Sequence, residues 1–454
     1  MIIMKFGGSS IKNTPAMQRV VEIVERHVDQ QPIVVLSALG GVTDQLIRMH
    51  RHALEGQIEP LQQLVSALKE RHRQMLSDLI SDEALRTKTE NFLNAEFNRL
   101  QTLLDAVMAI KVHSSELYSS IVGLGELLST RLFEACLRSK QLPVVWQDVR
   151  PVMIVEHNGQ DVLPLLDEIE KQARSNFEHH LKRHEIIVTQ GFLATTAHGA
   201  PTTLGRDGSD YTASLLGAAL KVKEIQIWSD VDGILSADPT IIKEARPLPF
   251  MTFEEACELA YFGARVLHPA TIQPALMHGI PVRVLNSHYP EEPGTLIVPD
   301  YEPGEHKAIK SIAYKENITL VTIESSKLLL SPKAIEDIFD ILTRHGKKVY
   351  AVNKSATKLS VTIQNNGEDQ SFLQELKRFG QVDVEPHKVV VSVVGEGMKA
   401  NPLLTWQIIK MLHEQNIKIE LISQFARQIS MMFIIDEQDI ERTVKLIHQK
   451  LIQT

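Results

Sequence analysis

An α/β chain with a mainly parallel sheet, followed by two smaller α+β units, is the fold class this sequence predicts. Three observations predict it. Ile33-Val34-Val35-Leu36 is a short unbroken apolar run, the pattern of a strand buried on both faces of a parallel sheet. Strand-like and helical stretches alternate through the first 300 residues, with one long helical stretch placed early. Beyond residue 300 the segments shorten and run twice through a strand-helix-strand-strand-helix series.

The elements follow in order. Residues 2–5 read as a strand, 16–28 as a helix and 32–37 as a strand. From 43 to about 140 the chain is rich in Leu, Gln, Glu and Arg with few turn signals, which predicts a helical insert. His50, His52 and His72 lie there without acidic or cysteine partners at metal spacing, so they read as solvent-facing polar residues. Strands return at 144–146, 185–189 and 224–228, and 211–220 reads as a helix. Proline and glycine at 290–294 and 299–304 mark a boundary near 300. Strands then follow at 318–323, 349–352, 358–363, 388–394, 418–422 and 429–435, with helices at 332–345, 372–379, 403–415 and 439–451. Small units of this kind leave sheet exposed, which favours pairing with another copy.

The bulk numbers narrow the function. Among 454 residues, 43% are hydrophobic and 23% charged, ordinary values for globular domains. A net charge of −8 argues against non-specific nucleic-acid binding. Two cysteines, Cys136 and Cys257, exclude a disulfide scaffold and fit a reducing compartment. The sequence shows no charged leader and no long apolar run, so a cytoplasmic protein without a membrane span is expected.

Two segments carry the chemistry. Lys5-Phe6-Gly7-Gly8-Ser9-Ser10 follows a strand, and glycines there let backbone N–H groups close on an anion beside an ammonium. It is neither a Walker loop nor a dinucleotide fingerprint, and a lone Gly-Gly after a strand is more often only a tight turn. Leu204-Gly205-Arg206-Asp207-Gly208-Ser209-Asp210 enters a helix whose N-terminus favours negative charge. Two separated anion sites suggest phosphoryl transfer between two bound molecules. Ser37-Ala38-Leu39-Gly40-Gly41-Val42-Thr43 leaves a strand and suits a carboxylate or phosphate, or a helix cap at Thr43. Glu126 is a carboxylate amid apolar residues, fit to bind an ammonium or to cap a helix. Gln190-Gly191-Phe192 and Trp228-Ser229-Asp230-Val231-Asp232-Gly233 each follow a strand, where open α/β sheets bind ligands. The acidic groups of the latter, with Asp238 beyond, suit Mg²⁺ on nucleotide phosphates or an Asx-type turn.

In this order, and with Tyr261-Phe262-Gly263-Ala264-Arg265-Val266-Leu267-His268-Pro269 and Pro293-Gly294-Thr295, the segments resemble the aspartokinases of the amino-acid kinase family. The resemblance covers essentially the whole chain. It implies a three-layer αβα kinase domain over 1–300 with its helical insert at about 44–140. Two ferredoxin-like ACT domains of βαββαβ type would follow, over 301–385 and 386–454. It implies that ATP, with Mg²⁺, phosphorylates the β-carboxylate of L-aspartate to 4-phospho-L-aspartate, the entry to lysine, threonine and methionine synthesis. Lys5 and Asp210 would be catalytic. Ser37, Thr43, Glu126, Phe192, Arg206 and Ser209 would hold aspartate. Lys5, Gly7, Gly8, Ser9, Ser229, Asp230 and Arg265 would meet the nucleotide. A homo-oligomer joined through the ACT domains is implied.

Some positions depart from the family pattern. Asp207 stands where glycine is common, Leu235 and Thr240 where tyrosine and arginine are common, and Arg265 where lysine is usual. In the tail, Pro332-Lys333 and Ala356 stand where a glycine and an acidic effector-binding residue are common, so weak or no inhibition by lysine or threonine is expected. Two other readings stay open. One is a degenerate kinase fold whose ACT tail senses a metabolite. The other is a kinase for another small carboxylic acid such as N-acetylglutamate, against which Glu126 argues, because an acetylated amine needs no anionic partner.

Overall fold

The computed structural model describes residues 1–158, 161–263, 269–300, 309–325, 332–364, 371–401, 403–423 and 429–452. They form two compact units. The first comprises Met1–Ile234, Pro247–Phe253 and Val266–Asp300; the second comprises Leu235–Arg246, Glu254–Arg265 and Tyr301–Thr454. The division is therefore not the contiguous one drawn at residue 300. Two short segments of the expected kinase domain pack with the tail, because Ala237 and Ile242 bury themselves in the tail's apolar core.

The first unit begins with β1 (Ile2–Phe6), α1 (Thr14–Glu25) and β2 (Pro32–Leu36). Every residue of β1 and β2 is buried. The side chain of Asn13 accepts from Ala16 N at 3.0 Å, and a proline sits in the first turn, so α1 starts where its sequence says. The helical insert follows as α2 (Val42–Leu54), α3 (Ile58–Leu79), α4 (Glu83–Ile110), α5 (Ser115–Val122) and α6 (Leu124–Ser139). Its interior corrects the reading of the histidines. His50 is 4% exposed and His72 is fully buried. The Nδ1 of His72 lies 2.8 Å from Leu68 O, and its ring meets Phe97 edge-on. Burial pushes the His72 imidazole down to about 4, so it stays neutral and packs as an apolar ring with one polar tip.

Next come β3 (Val144–Trp146), β4 (Ile154–Asn158), β5 (Asp161–Pro164), α7 (Leu166–Lys182), β6 (Ile186–Gln190), β7 (Leu193–Thr196), β8 (Pro201–Thr203), α8 (Gly208–Leu220) and β9 (Ile225–Ser229). After them come β10 (Phe250–Thr252), α9 (Phe253–Tyr261), α10 (Pro269–Met277), β11 (Val282–Asn286) and β12 (Thr295–Val298). Eight strands form one sheet in the order β10-β12-β11-β9-β1-β2-β6-β3, and β5-β4-β7-β8 form a second, smaller one. Pairing in the large sheet is parallel except between β11 and β12. α8 contacts β1, β2 and β9, while α6 contacts β2, β3 and β6, so helices cover the sheet on both faces. Register aligns Phe6 with Leu36 and Trp228, Leu36 with Gln190, and Trp228 with Leu285. The carboxyl ends of β1, β2, β6, β9 and β11 thus stand in one row, which is where an open α/β sheet binds ligands.

The second unit contains β13 (Ser311–Glu324), α11 (Pro332–Arg344), β14 (Val349–Lys354), β15 (Lys358–Gln364), α12 (Ser371–Leu376) and β16 (Gln381–Val394). It continues with α13 (Gly397–Ala400), α14 (Leu403–Glu414), β17 (Leu421–Ser423), β18 (Ser430–Asp436) and α15 (Ile440–Ile447). Its six strands make one antiparallel sheet in the order β14-β15-β13-β16-β18-β17. β13 and β16 are each 14 residues long and pair along nearly their full length. Residues 318–324 pair with β15, whereas 311–315 pair with the half of β16 that adjoins β18. A boundary at 385 therefore cuts one continuous strand, and the strand at 311–315 was not expected at all. Left-handed residues, Asn317 (φ 59°) and His387 (φ 57°), and a shift of register mark the joint between the halves.

Candidate active site

The row of strand ends in the first unit gathers most of the expected site residues. Lys5, next to last in β1, is 8% exposed. Its Nζ lies 2.5 Å from Oδ1 of Asp210, in the first turn of α8. The contact is an ion pair rather than an aligned hydrogen bond, for this oxygen accepts no aligned hydrogen bond among the described residues. A lysine ammonium has three N–H donors, so one carboxylate leaves it donors to give.

Gly7 and Gly8 leave β1 directly, with Gly7 N donating to Trp228 O at 3.2 Å. A Cβ on Gly8 would come within 2.8 Å of Ala38 O, so the turn after β1 packs on the turn after β2 only because position 8 is glycine. Gly191, after β6, is equally constrained, for a Cβ there would lie 2.7 Å from Cα of Ser209. The close approach brings Ser209, at the start of α8, against the end of β2, where Ser37 Oγ donates to Ser209 Oγ at 2.9 Å.

Glu126 enters from the other face, on the first turn of α6. It is 3% exposed, its Oε1 accepts from Ala38 N at 3.0 Å, and its Oε2 is buried without a partner. Burial raises its carboxyl to about 8, only partly countered by the hydrogen bond from Ala38. A buried carboxylate with one vacant oxygen is an unfinished ion pair, and a cation completes it.

Other expected residues stand differently. Thr43 lies in the first turn of α2, whose cap is Gly41 at φ 81°, two residues before the cap expected at Thr43. Phe192 adopts φ 70°, and its N–H bonds Thr212 Oγ1 at 3.0 Å. Arg206 points to solvent, its side chain 92% exposed and 3.8 Å from Asp207. Asp207 itself takes φ 55°, a conformation that glycine adopts freely and Asp tolerates. Ser9 and Ser229 are half-buried and Asp230 is exposed at the end of β9. Arg265 lies outside the described residues, as do Ser331 and residues 424–428 of the tail. Asp238 belongs to the second unit, where Thr240 N, Thr240 Oγ1 and Tyr314 OH all donate to it. Of the two readings of that acidic stretch, Asp238 takes the turn.

Sequence reasoning passed over a polar chain beneath the cluster. Trp146 Nε1 and Gln190 Nε2 both donate to Thr130 Oγ1, at 2.9 and 3.2 Å, and that hydroxyl donates to the carbonyl of Glu126 at 2.7 Å. Likewise Asn286 Nδ2 donates to Asp232 at 2.6 Å, and Ser287 bonds Ser10 and the carbonyl of Ser229. Trp146, Gln190 and Asn286 stand at strand ends, whereas Thr130 lies within α6.

The family comparisons agree with this arrangement. Residues 1–286 match the model of the amino acid kinase family, and residues 391–451 match that of the ACT domain. Lysine-sensitive aspartokinase 3 of Escherichia coli (strain K12) is 31% identical over 100% of this chain and 99% of its own length. The chain belongs to the aspartokinases. Aspartokinase 1, chloroplastic, of Arabidopsis thaliana is 30% identical over 100% of this chain and 80% of its own. Among solved structures, E. coli aspartokinase III in complex with aspartate and ADP is 30% identical, covers 99% of each chain and superposes with a TM-score of 0.81. The same aspartokinase with lysine and aspartate gives 0.85 at 29% identity, over 100% of this chain and 99% of the other. The fold is thus an amino-acid kinase domain with a mainly parallel sheet followed by ACT domains.

Proposed function

We propose that this aspartokinase transfers the γ-phosphoryl group of ATP to the β-carboxylate of L-aspartate, giving 4-phospho-L-aspartate. The observation that carries the reading is the pair of incomplete buried ions, Lys5 with a single carboxylate and Glu126 with a vacant oxygen, at one row of strand ends. Glu126 takes the α-ammonium of aspartate, which supplies the missing cation. Ser37, Thr43, Phe192 and Ser209 line the acceptor. Arg206 grips the α-carboxylate bidentately after turning inward about the left-handed residues Gly205 and Asp207. Gly7, Gly8 and Ser9 offer backbone N–H groups to the phosphates, and Ser229, Asp230 and Arg265 meet the nucleotide. Lys5, oriented by Asp210, neutralises charge that grows on the transferring group. The acceptor carboxylate is already nucleophilic, so positioning and charge neutralisation suffice and no general base is needed. Asp230, exposed directly after β9, would be the carboxylate to hold Mg²⁺, which would neutralise charge on the nucleotide phosphates.

We place the enzyme in the cytoplasm, as a homo-oligomer joined through its ACT domains, at the head of lysine, threonine and methionine synthesis. Among the described residues no helix is long and apolar enough to cross a membrane. Ala356, exposed in the turn between β14 and β15, supports weak control by lysine or threonine. An ATP-dependent hydroxamate assay over a panel of carboxylic acids tests the central reading. L-Aspartate should yield hydroxamate and N-acetylglutamate none, and silence with aspartate would overturn the assignment.

A further inference from the structure

A second charged cavity, of ≈ 130 Å³, opens in the helical insert between α4 and α6. Lys88 and Phe92 line it from α4, and Arg131, Glu134 and Arg138 line it from α6. The guanidinium of Arg131 is clamped flat, its central carbon 3.6 Å from the ring centre of Trp146 and 4.7 Å from that of Phe92. Stacking of this kind fixes the plane of the fork before any ligand arrives. Yet the fork makes no hydrogen bond or ion pair with any described residue, and its Nε is buried without an acceptor. Arg71, by contrast, donates to Lys12 O and Gly40 O.

Three carboxylates, Glu134, Asp148 and Glu96, lie near enough to act on Arg131 through space, but each pairs directly with another arginine, Glu96 with Arg99 at 3.5 Å. Arg138 forks Glu134 at 2.8 and 2.5 Å, and Arg150 forks Asp148 at 2.6 to 3.1 Å. Two cations therefore remain uncommitted at the cavity, rigid Arg131 and the exposed, unpaired Lys88. A planar fork with free donors, a mobile ammonium beside it and room for a few heavy atoms match an oxyanion.

We propose that the cavity between α4 and α6 binds a small oxyanion, the phosphate or carboxylate group of a metabolite, with Arg131 as its fixed anchor and Lys88 as a second contact. The site is separate from the strand-end cluster and does not depend on the reaction assigned there. Calorimetric titration of the full chain, with ADP and aspartate in excess to fill the catalytic cleft, tests it with two probes. Inorganic phosphate stands for a phosphorylated ligand and oxalate for a carboxylate. One saturable site per chain is expected for at least one probe, and the better probe identifies the group. Arg131→Met and Lys88→Glu should each weaken that binding at least tenfold. Lys88 lies on the surface of α4, so its variant folds and decides the matter even where Arg131→Met does not. No saturable uptake of either probe, or equal uptake by wild type and Lys88→Glu, would reduce Arg131 to a packing contact.

Discussion

Two buried lysines, one in each unit, show how differently the chain treats charge. Lys388, on β16 in the tail, is as hidden as Lys5, yet three carboxylates surround it: Asp436 at 2.8 Å, and Glu385 and Glu420 each at 3.0 Å. Burial alone would lower its pKa, but the three anions outweigh burial and hold it well above the usual lysine value. Among the described residues Lys5 pairs with Asp210 alone. Where a buried ion only supports the fold, the fold surrounds it; where it is to act on a substrate, a valence is left open. Glu126 follows the second pattern.

The contrast can be broken most forcefully at Lys5. Lys5→Ala should cut kcat by about 10² to 10³, while calorimetry finds aspartate affinity nearly unchanged, because the charge it answers develops in the transition state. Full residual activity would remove Lys5 from the mechanism. Lys388→Ala should do the reverse. It strands three carboxylates, two of them partly exposed, and should cost the tail about 2–3 kcal/mol in denaturant melts without moving the aspartate KM.

Glu126→Gln sharpens the comparison through pH. The folded carboxyl titrates near 8 and an unfolded one near 4.5, so the native state holds this proton to higher pH. Wild-type stability from this group is therefore intact below about pH 4.5 and is lost progressively as pH rises to about 8. Paired melts at pH 5 and pH 8 should show Glu126→Gln gaining on the wild type at the higher pH. The wild-type aspartate KM should fall as pH rises toward 8, since only the ionised carboxyl pairs with an ammonium, and the Gln variant should be weak and flat. The smallest effect belongs to the surface. Arg26 pairs with Glu291 while both are more than half exposed, so Arg26→Ala should change stability by no more than about 1 kcal/mol.

Legibility in the sequence tracked burial. β2 and β3 were readable because their apolar runs are unbroken, and β1 because Ile2-Ile3-Met4 runs into a lysine and two glycines. Lys5, Glu126 and Ser209 were readable because polar groups beside apolar runs stand out. The small sheet β5-β4-β7-β8 was not, since strands such as Ile154–Asn158 carry exposed Glu156 and His157 and lack a two-residue period. His50 and His72 misled because helical spacing was weighed without asking which face the neighbouring helices cover. The outward turn of Arg206 has no signature in sequence, being a choice among rotamers at an exposed position.

The long strands β13 and β16 carry one consequence further. Each half of the tail takes a central strand from the same two spans of chain, with one bulged joint between them. The halves are thus a single twisted plank, not two beads on a thread. Strands β13 and β16 thereby give a change of twist at β14 and β15 a backbone path to β18 and β17.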